Sequence, residues 1–167
     1  SPVNQTDFIR KKWLNNDFYG LVSTLYGKFE NLDLNFGLVG NQYYGKHYGN
    51  VTGVYFPNID EYEYYRTRSV KTEVAAFAKA LIKVNDFEFF GDLQLRNIDY
   101  DTKILMEGDG EGANLDKNWL FFNPKFGVNY QIENGKLFFS YAHAHREPNR
   151  DDLFANPNTK PEKLHDF

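Results

Sequence analysis

The feature that most constrains this chain is a series of alternating apolar and polar runs separated by breaks of two unequal lengths. Asp17 to Lys28 is rich in Phe, Tyr, Leu and Val, and the brief break Phe29-Glu30-Asn31 leads into Leu32 to Gly45. In that second arm Leu32, Leu34, Phe36 and Leu38 fall on one face, and Asp33, Asn35, Gly37, Val39 and Asn41 on the other. This pair predicts a hairpin. Lys46 to Arg68, polar and aromatic with Pro57-Asn58 inside it, has no period and predicts a long loop. Ser69 to Lys83 passes through Val84-Asn85-Asp86 into Phe87 to Asp101, where Phe87, Phe89, Leu93 and Leu95 oppose Glu88, Asp92, Gln94 and Arg96. A second long loop, Thr102 to Asn118, precedes a third pair. There Trp119 to Ile132 turns at Glu133-Asn134-Gly135, whose Asn-Gly step favours positive dihedrals, and Lys136 to His145 is the return arm.

One element reads two ways. Val70, Val74, Phe77, Leu81 and Val84 have helical spacing, and the alanines between them have high helix propensity. As a strand, the same segment puts Val74, Ala76, Ala78, Ala80 and Ile82 opposite Glu73, Phe77, Lys79 and Lys83, continuing its neighbour's alternation, and strand is the expectation. The chain is therefore expected to be all-β, an antiparallel up-and-down meander of about six long strands.

Short turns at one end and long connections at the other distinguish this meander from an ordinary soluble sheet. A transmembrane β-barrel has that asymmetry, with strands of roughly 10 to 15 residues, longer than the globular norm. Leu, Phe, Val and Ala then face outward while Asp, Asn, Gln, Lys and Arg face a wet lumen. Phe18-Tyr19, Tyr43-Tyr44, Trp119 and Tyr130 are placed near strand ends, as interfacial girdles. Composition narrows the choice. The longest clean apolar run, Val74 to Ala78, is far short of the roughly 20 residues a transmembrane helix needs. With 19 Lys and Arg against 23 Asp and Glu, the cations are scattered and outnumbered, so no nucleic-acid face is expected. Aromatics at 18% argue against disorder, and the absence of cysteine removes disulfides and thiolate chemistry.

The stretch Phe138 to Leu153 reads Phe-Phe-Ser-Tyr-Ala-His-Ala-His-Arg-Glu-Pro-Asn-Arg-Asp-Asp-Leu, followed by Asn156-Pro157-Asn158 and Lys160-Pro161-Glu162-Lys163. It resembles the late-barrel segment of TonB-dependent outer-membrane receptors, where a Ser-Tyr-Ala type strand runs into Arg-x-Pro, an acidic Asp-Leu loop and a Pro-Glu. Trp13 to Gly20 and Asn123 to Tyr130 resemble barrel segments of the same family, particularly the receptors of Bacteroidetes-type bacteria. The resemblance implies a plugged barrel of about 22 strands in the bacterial outer membrane that imports a scarce nutrient with energy from the TonB system. Residues 1–167 would be a partial barrel segment without plug domain or C-terminal closing strand, inactive by itself. Its partners would be outer-membrane lipid, the missing plug and strands, TonB through those parts, and a nutrient cargo of unspecified class. Alone, its two unpaired edges and apolar face predict self-association.

No catalytic, cofactor or metal residues are assigned. His143 and His145 share a face by period two and His47 lies in a loop, yet no third ligand is placed with them. Glu107 to Gly112 alternates carboxylates without the order of a calcium loop. Ser140 and His143 would point to opposite faces, and the pairs Asp151-Asp152 and Glu61 with Glu63 have nothing to separate an acid from a base. The candidate lumen-facing residues are Asp92, Gln94, Arg96, Lys125 and Asn129. The candidate extracellular-rim segment, placed by the resemblance, is Arg146, Pro148, Asn149, Arg150 and Asp151, in which Pro148 ends strand pairing and Asn149 starts a turn. The alternative is a soluble all-β binding domain, such as a sandwich whose exposed aromatics stack on carbohydrate. It would bury two facing apolar surfaces joined by crossovers.

Overall fold

A computed structural model describes residues 7–54, 60–107 and 114–167. Seven strands follow in chain order: β1 (Phe8–Lys28), β2 (Leu32–Val54), β3 (Tyr62–Val84), β4 (Phe87–Glu107), β5 (Asn114–Ile132), β6 (Gly135–Arg146) and β7 (Glu162–Asp166). A short helix, α1 (Arg150–Ala155), lies between β6 and β7. The strands form one sheet in the order β1-β2-β3-β4-β5-β6-β7. This is the expected antiparallel meander, with Glu162–Asp166 adding a seventh strand. The sandwich alternative fails, because it needs two facing sheets and the described strands make one sheet without a crossover. No helix among the described residues is long and apolar enough to cross a membrane, which says nothing of crossing by strands.

The ambiguous Ser69 to Lys83 segment lies wholly inside β3. Its alternation lets one face of the sheet continue unbroken, and this outweighs the helix propensity of its alanines. The strands run further than the apolar period showed. Most of Lys46 to Arg68, read as a loop, is the end of β2 and the start of β3, and Thr102 to Asn118 likewise loses both its ends to β4 and β5. The first five strands are 19 to 23 residues long. Ladder hydrogen bonds need no apolar alternation, so a strand can continue where its side chains become polar on both faces. The aromatic positions move accordingly: Phe18, Tyr19, Tyr43, Tyr44 and Trp119 are strand-interior residues, and only Tyr130 is close to an end. Pro57-Asn58 and, of the carboxylate run from Glu107 to Gly112, everything after Glu107 lie outside what the structure describes.

The chain divides into two compact units. One comprises Ser1–Tyr19, Gln42–Lys71 and Tyr100–Lys117. Val51 and Leu115 are buried there, and the buried hydroxyls of Ser69 and Thr102 satisfy each other at 2.6 Å. The other comprises Gly20–Asn41, Thr72–Asp99 and Asn118–Phe167, with Ala75, Ile98, Phe121 and Leu153 buried.

The second unit contains the three tight turns. In the first, the Phe29 N–H donates to the Leu32 carbonyl at 2.8 Å. The second contains Asn85 at φ 52°, the left-handed region that asparagine tolerates. The third departs from expectation: Gly135 pairs with Ile132 as the first ladder position of β6, so Glu133 and Asn134 are the turn residues. Ladder closure at Ile132 leaves only these two to turn the chain, and the Asn-Gly step straddles the boundary. One face of this unit carries Leu25, Phe36, Leu38, Val74, Leu93 and Leu95, all exposed. The opposite face carries Glu73, Lys79, Glu88, Asp92 and Arg96, with the rings of Phe77 and Phe90 among them.

Candidate functional site

Period-two geometry aligns Glu88, Phe90, Asp92, Gln94 and Arg96 on one face of β4, and β3 and β5 supply partners on either side. Lys79 approaches Asp92 at 3.2 Å. The Asn123 amide donates to Gln94 at 3.0 Å. Asn129 donates to Glu88 at 2.8 Å, and Lys83 and Lys136 each lie 3.7 Å from that carboxylate. Lys125 projects over the Phe90 ring, 5.9 Å from its centre. All five residues singled out on this face, Asp92, Gln94, Arg96, Lys125 and Asn129, therefore stand in a row of separate cross-strand contacts. It also includes Glu88, whose alternation is visible in the sequence but whose three partners are not.

Arg96 is the centre of the most enclosed of these groups. Its Nε and Nη2 donate to the two oxygens of Glu73 at 2.8 and 2.9 Å, and Nη1 donates to Glu147 at 3.2 Å. The bidentate geometry matches guanidinium to carboxylate, and the side chains are only 15 to 20% exposed. Glu147 lies beyond the end of β6, where no period applies, so sequence reading could not bring it to Arg96. Close by, Pro124 interrupts a ladder. The β5–β6 ladder runs from Ile132↔Gly135 to Lys125↔Ala142 and stops at this proline, which has no N–H to donate. The His145 N–H bonds instead to the Asn123 side chain at 3.0 Å, and the chain turns off the sheet shortly afterwards.

The segment from Arg146 to Asp151 is built around that departure. Arg146 ends β6 and is exposed, while Pro148 is buried. Asn149 caps α1: its side-chain oxygen accepts from the Asp152 N–H at 2.9 Å. The turn expected there is thus the start of a helix. Arg150 lies 3.5 Å from Asp151, which is almost fully exposed, and Leu153 of the same helix is completely buried. Replacing Arg96 by Met would leave Glu73 and Glu147 facing each other without a cation. The cost is about 2 kcal/mol, below that of a fully buried pair because water still reaches all three groups. Urea unfolding of the protein carrying this chain should show a lower midpoint and earlier proteolysis within Arg150–Ala155; an unchanged midpoint and cleavage pattern would refute this role.

The histidines are distributed between the two units. In the first, His47 bonds to Asn16 at 3.1 Å. In the second, His143 lies with its ring 4.4 Å from those of His145 and His165, and Tyr141 bonds to His165 at 2.9 Å. His165 joins this group because His143↔His165 is a rung of the β6–β7 ladder. Ser140 pairs opposite Gly127.

Comparison with known proteins adds the lineage. No curated protein matches significantly. Among the solved structures that share the fold are three iron-complex receptors and transporters. The ferric-catecholate import receptor Fiu of E. coli K12 is 16% identical, with 92% of this chain and 28% of that one covered and a TM-score of 0.70. The ferric yersiniabactin uptake receptor FyuA of Yersinia pestis is 15% identical, with 87% and 23% covered and a TM-score of 0.63. The ferric citrate transporter FecA is 10% identical, with 96% and 26% covered and a TM-score of 0.65. The chain thus spans about a quarter of the length of these relatives. The family model for the TonB-dependent receptor-like β-barrel matches residues 2–167, and the chain belongs to that family.

Proposed function

We propose that this chain is part of the barrel wall of a bacterial outer-membrane receptor that takes up a scarce nutrient with energy relayed by TonB, and that it carries no catalytic centre. The observation that carries the proposal is the division of the second unit into an exposed aliphatic face and an ion-paired polar face on one uninterrupted meander. Lipid accounts for the first face and a wet lumen for the second. Asp92, Gln94, Arg96, Lys125 and Asn129 would line that lumen, and Arg146 to Asp151 would stand at the extracellular rim. Strands of 19 to 23 residues, at about 3.3 Å per residue, are roughly twice what a tilted crossing needs, so part of each would project beyond the bilayer. A plug and further strands would complete the barrel, and without them the open edges of β1 and β7 would drive self-association.

Cell fractionation and uptake test the proposal. The receptor should sediment with outer membranes, resist extraction by carbonate, and migrate faster on unboiled than on boiled gels. Loss of the gene, or of TonB, should abolish growth on at least one limiting iron complex, haem, vitamin or glycan. Recovery of the intact protein in the soluble fraction would overturn the reading.

A further inference from the structure

Five rungs join β6 to β7, from Ala142↔Asp166 to Arg146↔Glu162, and the last of them closes the connection that contains α1. Period two divides these rungs between the two faces. Both carboxylates of β7, Asp166 and Glu162, fall on one face with Ala144↔Leu164 between them. The rungs His143↔His165 and His145↔Lys163 fall on the other, so this short ladder gathers three imidazoles and an amine on the side away from its carboxylates.

His143 stacks on His165 with the rings 10° from parallel and their centres 4.4 Å apart, and the ring of His145 is equally near. The neighbours add no negative charge. From β5 come the Phe121 ring, stacked on His145, and the amide oxygen of Asn123, which accepts from His145 Nδ1 at 3.1 Å. From β6 itself comes Tyr141, whose hydroxyl bonds to His165 Nδ1 at 2.9 Å. Glu147, the next carboxylate along the chain, is bound by Arg96. Nε2 of His143 is buried and has no hydrogen-bond partner among the described residues.

Such surroundings suit neutral rings. A proton on Nε2 of His143 would make a buried charged donor with no acceptor, and a second proton on His145 or His165 would set like charges side by side with Lys163 close to them. Once the strands separate, water solvates each ring, so the open form takes up protons more readily than the paired one. The pairing is therefore at full strength above the imidazole range, about pH 6.5, and weakens as pH falls through it.

We propose that the β6–β7 seam is an acid-sensitive latch: with His143, His145 and His165 neutral it holds the two ends of the α1 connection together, and when these rings take up protons it opens. The latch is independent of the outer-membrane reading, because it depends only on the ladder and its charges.

Hydrogen exchange of the full receptor in detergent tests it, at about pH 8 and about pH 5 with each rate divided by the intrinsic rate at that pH. Each proton that the closed form excludes raises the opening constant by up to about tenfold per pH unit, and residues 142–146 and 162–166 should exchange about tenfold faster in acid. The turn around Asn85 should keep its protection, and a return to the higher pH should restore the seam. His143→Phe with His165→Phe keeps two stacked rings that cannot charge, and should leave the seam closed at both pH values. Lys163→Glu, which sets a carboxylate opposite His145, should also hold it closed in acid. His47→Gln, in the other unit, should leave the response as in wild type. Equal corrected rates in wild type at the two pH values would overturn the latch whether or not the variants fold. A response that survives in the folded double variant would overturn it as well, by assigning the titration to other groups.

Discussion

Replacing Gly127 by Val should abolish most folding of the receptor that carries this chain. A β-carbon at this position would stand 2.5 Å from the carbonyl oxygen of Phe139 and inside contact distance of the Phe90 ring. The ring could turn aside, but the carbonyl belongs to the β5–β6 ladder, in which Gly127 pairs with Ser140. Relieving the contact therefore means spreading two strands. Overpacking against movable side chains costs about 1–3 kcal/mol; against backbone the upper end, about 3 kcal/mol, is expected. Gly91 is the control, because a β-carbon there meets nothing within 4 Å. Gly91→Ala should be neutral or stabilising by about 0.5 kcal/mol, since alanine loses less backbone freedom on folding. The readouts are the fraction of receptor that migrates as folded barrel on unboiled gels and the urea midpoint. Wild-type values for Gly127→Val would show that the ladder at Phe139 yields more easily than its geometry implies.

The second large effect separates the two faces of one strand. Leu93 is 51% exposed among other aliphatic residues, whereas its neighbour Gln94 points the other way and bonds to Asn123. If the aliphatic face meets lipid, Leu93→Arg should cost about 2–4 kcal/mol and sharply lower the amount of receptor inserted, and Phe36→Asp should act in the same direction. Gln94→Arg should lose only its hydrogen bond, about 1 kcal/mol, and insert nearly as well as wild type. A soluble fold would tolerate Leu93→Arg at least as well as Gln94→Arg. Equal insertion of the two variants would therefore contradict the outward assignment of this face.

The contrast between Leu93 and Gln94 was legible in the sequence, because period-two alternation is local and each residue's face follows from its neighbours. The same holds for the turn at Asn85, for the strand character of Ser69 to Lys83 and for the polar row from Glu88 to Arg96. What alternation could not show was where it stops mattering. Lys46 to Arg68 reads as loop because tyrosines, glycines and charges occupy both faces, yet it is mostly strand, since the hydrogen bonds that extend it come from a partner strand. Likewise the end of pairing near Pro148 was legible in sequence, but not the helix capped by Asn149 or the burial of Leu153 within it.

By itself, then, the sequence determined the secondary-structure class, the order of the hairpins and the two chemically distinct faces, all properties set within a few residues. Only the tertiary structure decided that Glu147 reaches Arg96 from beyond a strand end, that Pro124 ends one ladder, and that Tyr64 and Tyr65 crowd one side while Glu63 joins Arg66 on the other. Each of these depends on a shift in pairing or a contact between residues far apart in the chain. Such choices carry no local period, because their free energy comes from the partner rather than from the segment itself.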